Sequence, residues 1–340
     1  MNPGGVTPHA GGMSSRIRVG IYGTGRTAAE LLAALPQTPF LLTSAIVHSP
    51  GKAGKDIGEL VGQAPVGVLA TADLEEALTG GEFDVLLYAG LTGERHEQTL
   101  AACAAAGVDQ VHACFVDPRA ALAPEVRERV EAAARESGSR MVGTGMIPGL
   151  WLDVLPALLS SGVPGPVSVR GQRVSNISSW GRDVLAQEFG VGTRTSGLSW
   201  RADALLRESA RLVADVLGLG DHALVSEGGL AAAETESTIG DIVVHPGEVE
   251  GFAQSVVLHD GESERLRLEW SGFGGSAAKP GQASTDVVLT LTGGDGSELV
   301  VRVNTPVDPY PGTAARMLQA VRGLRLLPAG LHPPTALPVG

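Results

Sequence analysis

Short apolar runs alternate with segments of helical period through the first 143 residues. Continuous apolar runs of a few residues read as buried strands, and longer stretches with i, i+3, i+4 spacing read as helices. Strands are therefore expected at Ile17–Tyr22, Leu41–His48, Val66–Leu69, Phe83–Ala89, Gln110–Cys114 and Arg140–Gly143. Helices fall between them at Thr27–Leu35, Asp56–Leu60, Thr71–Leu78, Glu94–Ala106 and Ala123–Ser137, the fourth ending at Gly107. Strand and helix in regular alternation imply an α/β fold with a doubly wound parallel sheet.

The pattern changes after Ile147-Pro148-Gly149. Trp151–Leu159 and Asp203–Leu217 read as helices, and Val167–Val174 alternates as a half-buried strand does. Further strands are expected at Ile242–Val244, Ala253–His259, Arg265–Trp270, Asp286–Leu291 and Leu299–Val303. Strands joined by glycine-rich turns, with few helices, predict a second, α+β domain built on a mainly antiparallel sheet. A last helix, Gly312–Leu324, precedes a proline-rich tail. The expected organisation is a disordered leader at 1–15, a first domain at 16–146, a substrate and dimerisation domain at 147–305, and a helix and tail at 306–340 that return to the first domain.

Gly23-Thr24-Gly25-Arg26-Thr27-Ala28 stands between the first strand and the first helix. This is the G-x-G-x-x-A form of the dinucleotide-binding turn in its strand–turn–helix context. Gly23 permits the tight turn, Gly25 lets a pyrophosphate approach the backbone, and Ala28 packs the helix on the strand. The amides of the helix N-terminus then face the phosphates. The first domain is thus expected to be a Rossmann fold, with Ala89 and Gly90 at the end of the fourth strand also meeting the cofactor. No carboxylate ends the second strand, where an NAD-selective residue would hold the ribose 2′-OH. His48, Ser49 and Lys52 stand there instead and suit a 2′-phosphate, with Arg26 expected to stack over adenine. NADP is expected ahead of NAD.

Several segments together resemble the 2,4-diaminopentanoate dehydrogenase family, which is related to dihydrodipicolinate reductase and includes native amine dehydrogenases. They are Arg18–Leu31, Val47-His48-Ser49-Pro50 with Gly54-Lys55-Asp56, Val142–Gly149, and Pro311–Arg316. The resemblance runs from about residue 16 to the tail. It implies an NAD(P)-linked Rossmann domain, a C-terminal α+β domain, a homodimer, and reduction of a C=N bond or its reverse. It also implies a glutamate pair where this chain has Phe115-Val116, and an asparagine where it has Ile147. Apolar side chains cannot exchange a proton or pair an ammonium group.

Other polar groups must then serve the reaction, and they are sought beyond the C-terminal ends of the strands. Asp117, Tyr88 and His112 are the candidate catalytic groups, with Glu188 a further carboxylate. Phe115, Met146, Ile147 and Asn176 are candidate substrate contacts, and Trp151, Trp180 and Trp200 offer apolar walls at the domain junction. The eight histidines and two cysteines show no metal-ligand spacing, so no metal is expected.

Composition narrows the classes that remain. A net charge of −12 argues against nucleic acid and anionic membranes as partners. No apolar run approaches the ~20 residues of a membrane span. Two cysteines in 340 residues suit a reducing, cytoplasmic setting. The expectation is an NAD(P)H-dependent oxidoreductase acting on a C=N or C=O group of a small, fairly apolar substrate. The alternative is a non-redox dinucleotide-binding homologue that binds a ligand or partner, or catalyses a step without net hydride transfer.

Overall fold

The computed structural model describes residues 16–274 and 285–338, so the expected leader at 1–15 lies outside the described residues. The first half forms β1 (Arg18–Tyr22), α1 (Arg26–Ala34), β2 (Leu41–Ile46), α2 (Ile57–Leu60), β3 (Ala70–Thr71) and α3 (Leu74–Thr79). It continues through β4 (Val85–Tyr88), α4 (Glu94–Ala106), β5 (Asp109–His112), α5 (Pro118–Ala121), α6 (Pro124–Ser137) and β6 (Arg140–Gly143). The third strand is displaced from its expected place at Val66–Leu69. The buried Asp56 carboxylate accepts from the amides of Val66 and Gly67 at 3.0 and 2.7 Å, which curls that run into a loop. Pairing with β2 then begins at Ala70.

After α7 (Val154–Ser160) come β7 (Ser168–Asn176), α8 (Trp200–Val216), β8 (Leu224–Ala232), β9 (Ser237–Ile239) and β10 (Ile242–Val244). Then follow β11 (Val249–Asp260), β12 (Ser263–Phe273), β13 (Thr285–Thr292), β14 (Glu298–Thr305), α9 (Tyr310–Leu324) and β15 (Gly330–His332). Residues 151–153 form turns where a helix is expected, because the buried Asp153 carboxylate accepts from the Gly149 and Val154 amides and starts the helix three residues late. Helix α8 starts earlier than expected, where the Ser199 side chain accepts from the Ala202 amide.

The strands assort into two main sheets. The first runs β15-β6-β5-β4-β1-β2-β3, parallel throughout, which is the doubly wound Rossmann order extended by one strand. One core lies under α1 and α9, around Val19, Ile21, Leu31, Val85, Met317 and Val321. The other lies under α4 and α6, around Leu86, Tyr88, Leu100, Val130 and Met141. A strand buried on both faces needs the continuous apolar run that Val85–Tyr88 has. The second sheet runs β14-β13-β7-β12-β11-β8 and is antiparallel except where β7 lies parallel to β12. Its inner face packs on α8 through Leu205, Leu206, Val213, Phe252, Val256, Leu266 and Leu268.

Strand order reverses between β1 and β4, so the chain leaves these two neighbours on opposite faces of the sheet. A crevice opens there beyond the carboxyl ends of the strands. The second sheet and the first turn of α9 close over that crevice and make it a cleft.

Candidate active site

The floor of the cleft is the turn after β1. The Gly23 amide donates to Ile46 O at 2.9 Å, and Gly23 holds a φ of +110°. A Cβ at Gly23 would sit 2.8 Å from the Ala89 carbonyl, so backbone shape and close approach both require glycine. Gly25 differs, because a Cβ there would meet no atom of the described residues within 4 Å. It is the N-cap of α1, and among the described residues no side chain caps that helix. The amides of its first turn are therefore free to face an anion in the cleft. Ala28 is buried in the first core beneath.

The cleft has a volume of about 820 Å³ and two chemically distinct ends. Gly23, Thr24, Gly25, Arg26, Thr27, His48, Ser49, Lys52, Ala89 and Gly90 line one end. Lys52 Nζ donates to Thr24 Oγ1 at 2.6 Å, while His48 and Ser49 are exposed. A second cavity of about 790 Å³ lies between α3 and α4, sharing Tyr22, Val47 and Arg95 with the cleft. Arg26 does not take the free, stacking position expected of it. Its Nη1 donates to Ser179 O at 2.7 Å, it pairs with Asp308, and its guanidinium lies 4.8 Å over the Tyr310 ring. The Gly181 amide in turn donates to Tyr310 Oη at 2.9 Å. Arg26 thus ties the glycine turn to the second domain and to α9.

The inner end is aromatic and holds two buried arginines. Met146, Ile147, Trp180, Phe189 and Trp270 form its walls, the Trp180 and Phe189 ring centroids lying 5.0 Å apart. Arg173 projects from the inward face of β7 and is 4% exposed. Its Nε donates to Ser175 Oγ at 3.0 Å, which also accepts from Trp270 Nε1. Arg173 Nη1 has no hydrogen-bond partner among the described residues, and burial pulls the guanidinium down to about 10. Arg201, from α8, donates through Nε to Glu188 at 2.8 Å and through Nη2 to Cys114 O at 2.8 Å. Glu188 stands at the end of a π-turn, Val184–Glu188, a backbone irregularity common at functional sites. Asp183 and Glu188 are the carboxylates among the described residues that line the cleft, Asp183 at its exposed rim and Glu188 further in.

Four expected site residues stand elsewhere, each for a physical reason. His112 is fully buried between the rings of His96 and Phe115, at centroid distances of 4.4 and 4.3 Å. Desolvation holds its imidazole well below its ordinary value, so it stays neutral and out of reach of the cleft. Phe115 packs into that same buried group. Asp117 caps α5, accepting from the Arg119 amide and side chain at 3.0 Å. Asn176 falls on the parity of β7 opposite to Arg173 and Ser175, and its Oδ1 accepts from the Ser178 amide. Tyr88 does line the cleft, but its phenol donates to Leu91 O at 3.0 Å, and burial pushes its ionisation well up. Trp200 is 59% exposed at the start of α8, and Trp151 packs against the core of the second sheet.

Arg173, Arg201, Trp270 and Tyr310 were not singled out by sequence. For Arg173 a signal was available. It shares the parity of Val169, Gly171 and Ser175, so a cation stands on the apolar face of the strand.

Residues 17–114 match the family described as dihydrodipicolinate reductase, N-terminus. An amine dehydrogenase of Streptomyces virginiae is 36% identical over 149 residues, 41% of this chain and 41% of its own length. A 2,4-diaminopentanoate dehydrogenase of Acetoanaerobium sticklandii is 28% identical over 103 residues, 28% of this chain and 29% of its own. The matched stretches thus span less than half the length of either curated relative. Among solved structures, amine dehydrogenase from Mycobacterium smegmatis superimposes with a TM-score of 0.79 at 24% identity, covering 96% of this chain and 97% of that one. The chain has the two-domain fold of that enzyme, and parts of it are similar in sequence to an amine dehydrogenase and a diaminopentanoate dehydrogenase.

Proposed function

We propose that the protein is an NAD(P)H-dependent oxidoreductase acting on a C=N or C=O group of a small molecule. The observation that carries this reading is one continuous cleft, with the glycine turn and the uncapped N-terminus of α1 at one end and a buried aromatic chamber at the other. The open space at Gly25 suits a pyrophosphate, so the residues present fit a dinucleotide. The second cavity, beside Ala72, Leu74 and Arg95, suits the adenosine end. NADP is our choice over NAD, because His48, Ser49 and Lys52 offer donors and no carboxylate stands among them. In this reading residues 16–146 hold the cofactor, residues 147–305 hold the substrate and pair two copies into a dimer, and residues 306–340 return to the first domain.

When bound, the nicotinamide supplies or accepts the hydride. The chain's own residues do the rest. Trp180, Phe189 and Trp270 keep water from the reacting carbon and favour a substrate with an apolar body. Arg173, buried without a carboxylate partner among the described residues, suits an anionic or oxygen-rich group on that substrate. Glu188, held in place by Arg201, is the carboxylate positioned to exchange a proton with the substrate nitrogen or oxygen.

Titration with NADPH and NADH, followed by a panel of cyclic imines, ketones and oxo acids with ammonia, tests the reading by cofactor absorbance and product mass. We expect tighter NADPH binding and turnover of at least one class. Glu188→Gln should bind NADPH as the native chain does and lose about 100-fold in turnover. Failure to bind either nucleotide overturns the proposal. Tight binding without turnover favours the second reading, a non-redox dinucleotide-binding homologue, to which the buried apolar Phe115 and Val116 already lend support.

A further inference from the structure

Three buried side chains converge behind the cleft, outside its wall. His96 stands in the first turn of α4, His112 ends β5, and Cys114 lies two residues further on. They are 1%, 0% and 2% exposed, and one ligand atom of each lies within 4.8 Å of those of the other two. Nε2 of His96 and Nε2 of His112 are both buried without a hydrogen-bond partner among the described residues. Native folds rarely leave such atoms buried and unpaired. The His96 ring also interacts with Gln110, and the Cys114 thiol with Thr92; the remaining contacts are weak. The Cys114 amide meets His112 Nδ1 at 3.4 Å, and Cys114 Sγ meets Gly90 O at 3.8 Å. An apolar shell of Tyr88 and Phe115 surrounds the group. His112 and Cys114 are two positions apart and His96 stands sixteen before His112, a spacing unlike the common metal motifs.

We propose that His96, His112 and Cys114 bind a single d10 metal ion, Cu+ or Zn2+, independently of the cofactor reading. Imidazole with thiolate is a donor set for these ions. Binding forms two metal–nitrogen bonds and one metal–sulfur bond and releases the Cys114 thiol proton to solvent. Bonds of about 2.0–2.3 Å require the three ligand atoms to draw slightly closer together. Charge decides between the two ions. Cu+ with one thiolate and two neutral imidazoles is neutral, whereas Zn2+ leaves a buried positive charge. Arg201 already donates to Cys114 O at 2.8 Å and adds positive potential there. Cu+ also accepts three ligands, and the cluster offers three side chains. The ion would fasten α4 to the end of β5 directly behind Tyr88.

The test uses the full chain, purified under reductant, stripped with a chelator and titrated separately with Cu+, Zn2+ and Co2+. We expect one Cu+ per chain, retained through desalting and against a chromophoric Cu+ chelator. Zn2+ should be held less tightly, and Co2+ should give a thiolate-to-cobalt charge-transfer band. Cu+ should slow alkylation of Cys114, mapped by mass spectrometry, and leave the rate at Cys103 unchanged. Cys114→Ser and His96→Gln, checked for folding by circular dichroism, should each lower retention at least tenfold. Tighter retention of Zn2+ than Cu+, with the same protection of Cys114, upholds the site and assigns it to the divalent ion. No retention of any of the three ions, or retention without protection of Cys114, overturns the proposal. The alkylation measurement on the native chain decides the matter even where a variant fails to fold.

Discussion

Gly23 and Gly25 sit two positions apart in one turn, yet their missing side chains do different things. At Gly23 the backbone has a positive φ and the Ala89 carbonyl leaves no room, so Gly23→Ala strains the fold itself. At Gly25 the φ is −85° and the space is open. Gly25→Ala should leave thermal stability within about 0.5 kcal/mol of the native chain, since it breaks no contact. It should weaken NADPH binding about tenfold or more, a loss of ~1.4 kcal/mol. Calorimetry on both variants separates the two roles, and unchanged affinity in Gly25→Ala would contradict the placement of the pyrophosphate. Glu208 gives a second test at this scale. It is buried under the 115–117 turn, accepting from the Val116 and Asp117 amides at 2.6 and 3.2 Å, and burial pushes it up to about 8. A carboxyl raised in the folded state is stabilising while protonated. Its contribution is whole below the ordinary value near 4.5 and is lost as pH rises through about 8. Urea unfolding should therefore show stability falling across that window. Glu208→Gln should flatten the fall and exceed the native chain by about 1–2 kcal/mol at pH 9.

Among elements, α8 and the π-turn are bound by the Arg201–Glu188 pair, whose side chains are 6% and 12% exposed. Removing one member of such a pair strands the other. Arg201→Met should cost about 3–5 kcal/mol, and Arg201→Met with Glu188→Gln distinctly less. Equal losses in denaturant titration would show that the pair does not couple these elements. The elements themselves were largely legible in the sequence wherever periodicity was local. β1, β4, α4 and α6 stand within a residue or two of expectation, because each buries an apolar face close to its own ends. β3 was misplaced because a single buried carboxylate, Asp56, gathers amides ten and eleven residues away, and periodicity carries no such information. The glycine turn could be read because its chemistry is contiguous. Of the inner site, single members such as Glu188 and Trp180 could be named but their grouping could not, because Arg173, Glu188 and Arg201 come from three separate elements. Their meeting depends on how the second sheet folds back over the first.

At the scale of the molecule, the cleft exists because the chain crosses between its two halves more than once. Arg26 of the glycine turn reaches Ser179 and Asp308, and α9 packs against α1. The Leu331 amide donates to Glu131 at 2.7 Å, the Gly330 amide donates to Ser139 O at 3.0 Å, and Leu337 is buried in the core under α1 and α9. Ending the chain after Leu327 should therefore lower stability by about 3 kcal/mol or more, since it strips the edge of β6 and uncovers apolar core. Denaturant unfolding of the truncated chain checks this, and an unaltered midpoint would mean that the last strand is ornamental.

β15 has one more consequence, and it concerns synthesis. The sheet that begins at Arg18 is completed by a strand more than 300 residues later. On the ribosome, the N-terminal half can collapse early but waits for residue 332 before its edge strand is paired. Contacts so distant along the chain close late and slowly. Until then the open edge of β6 is a site where nascent chains could join one another. Through that interval, the protection of this protein falls to whatever holds the growing chain.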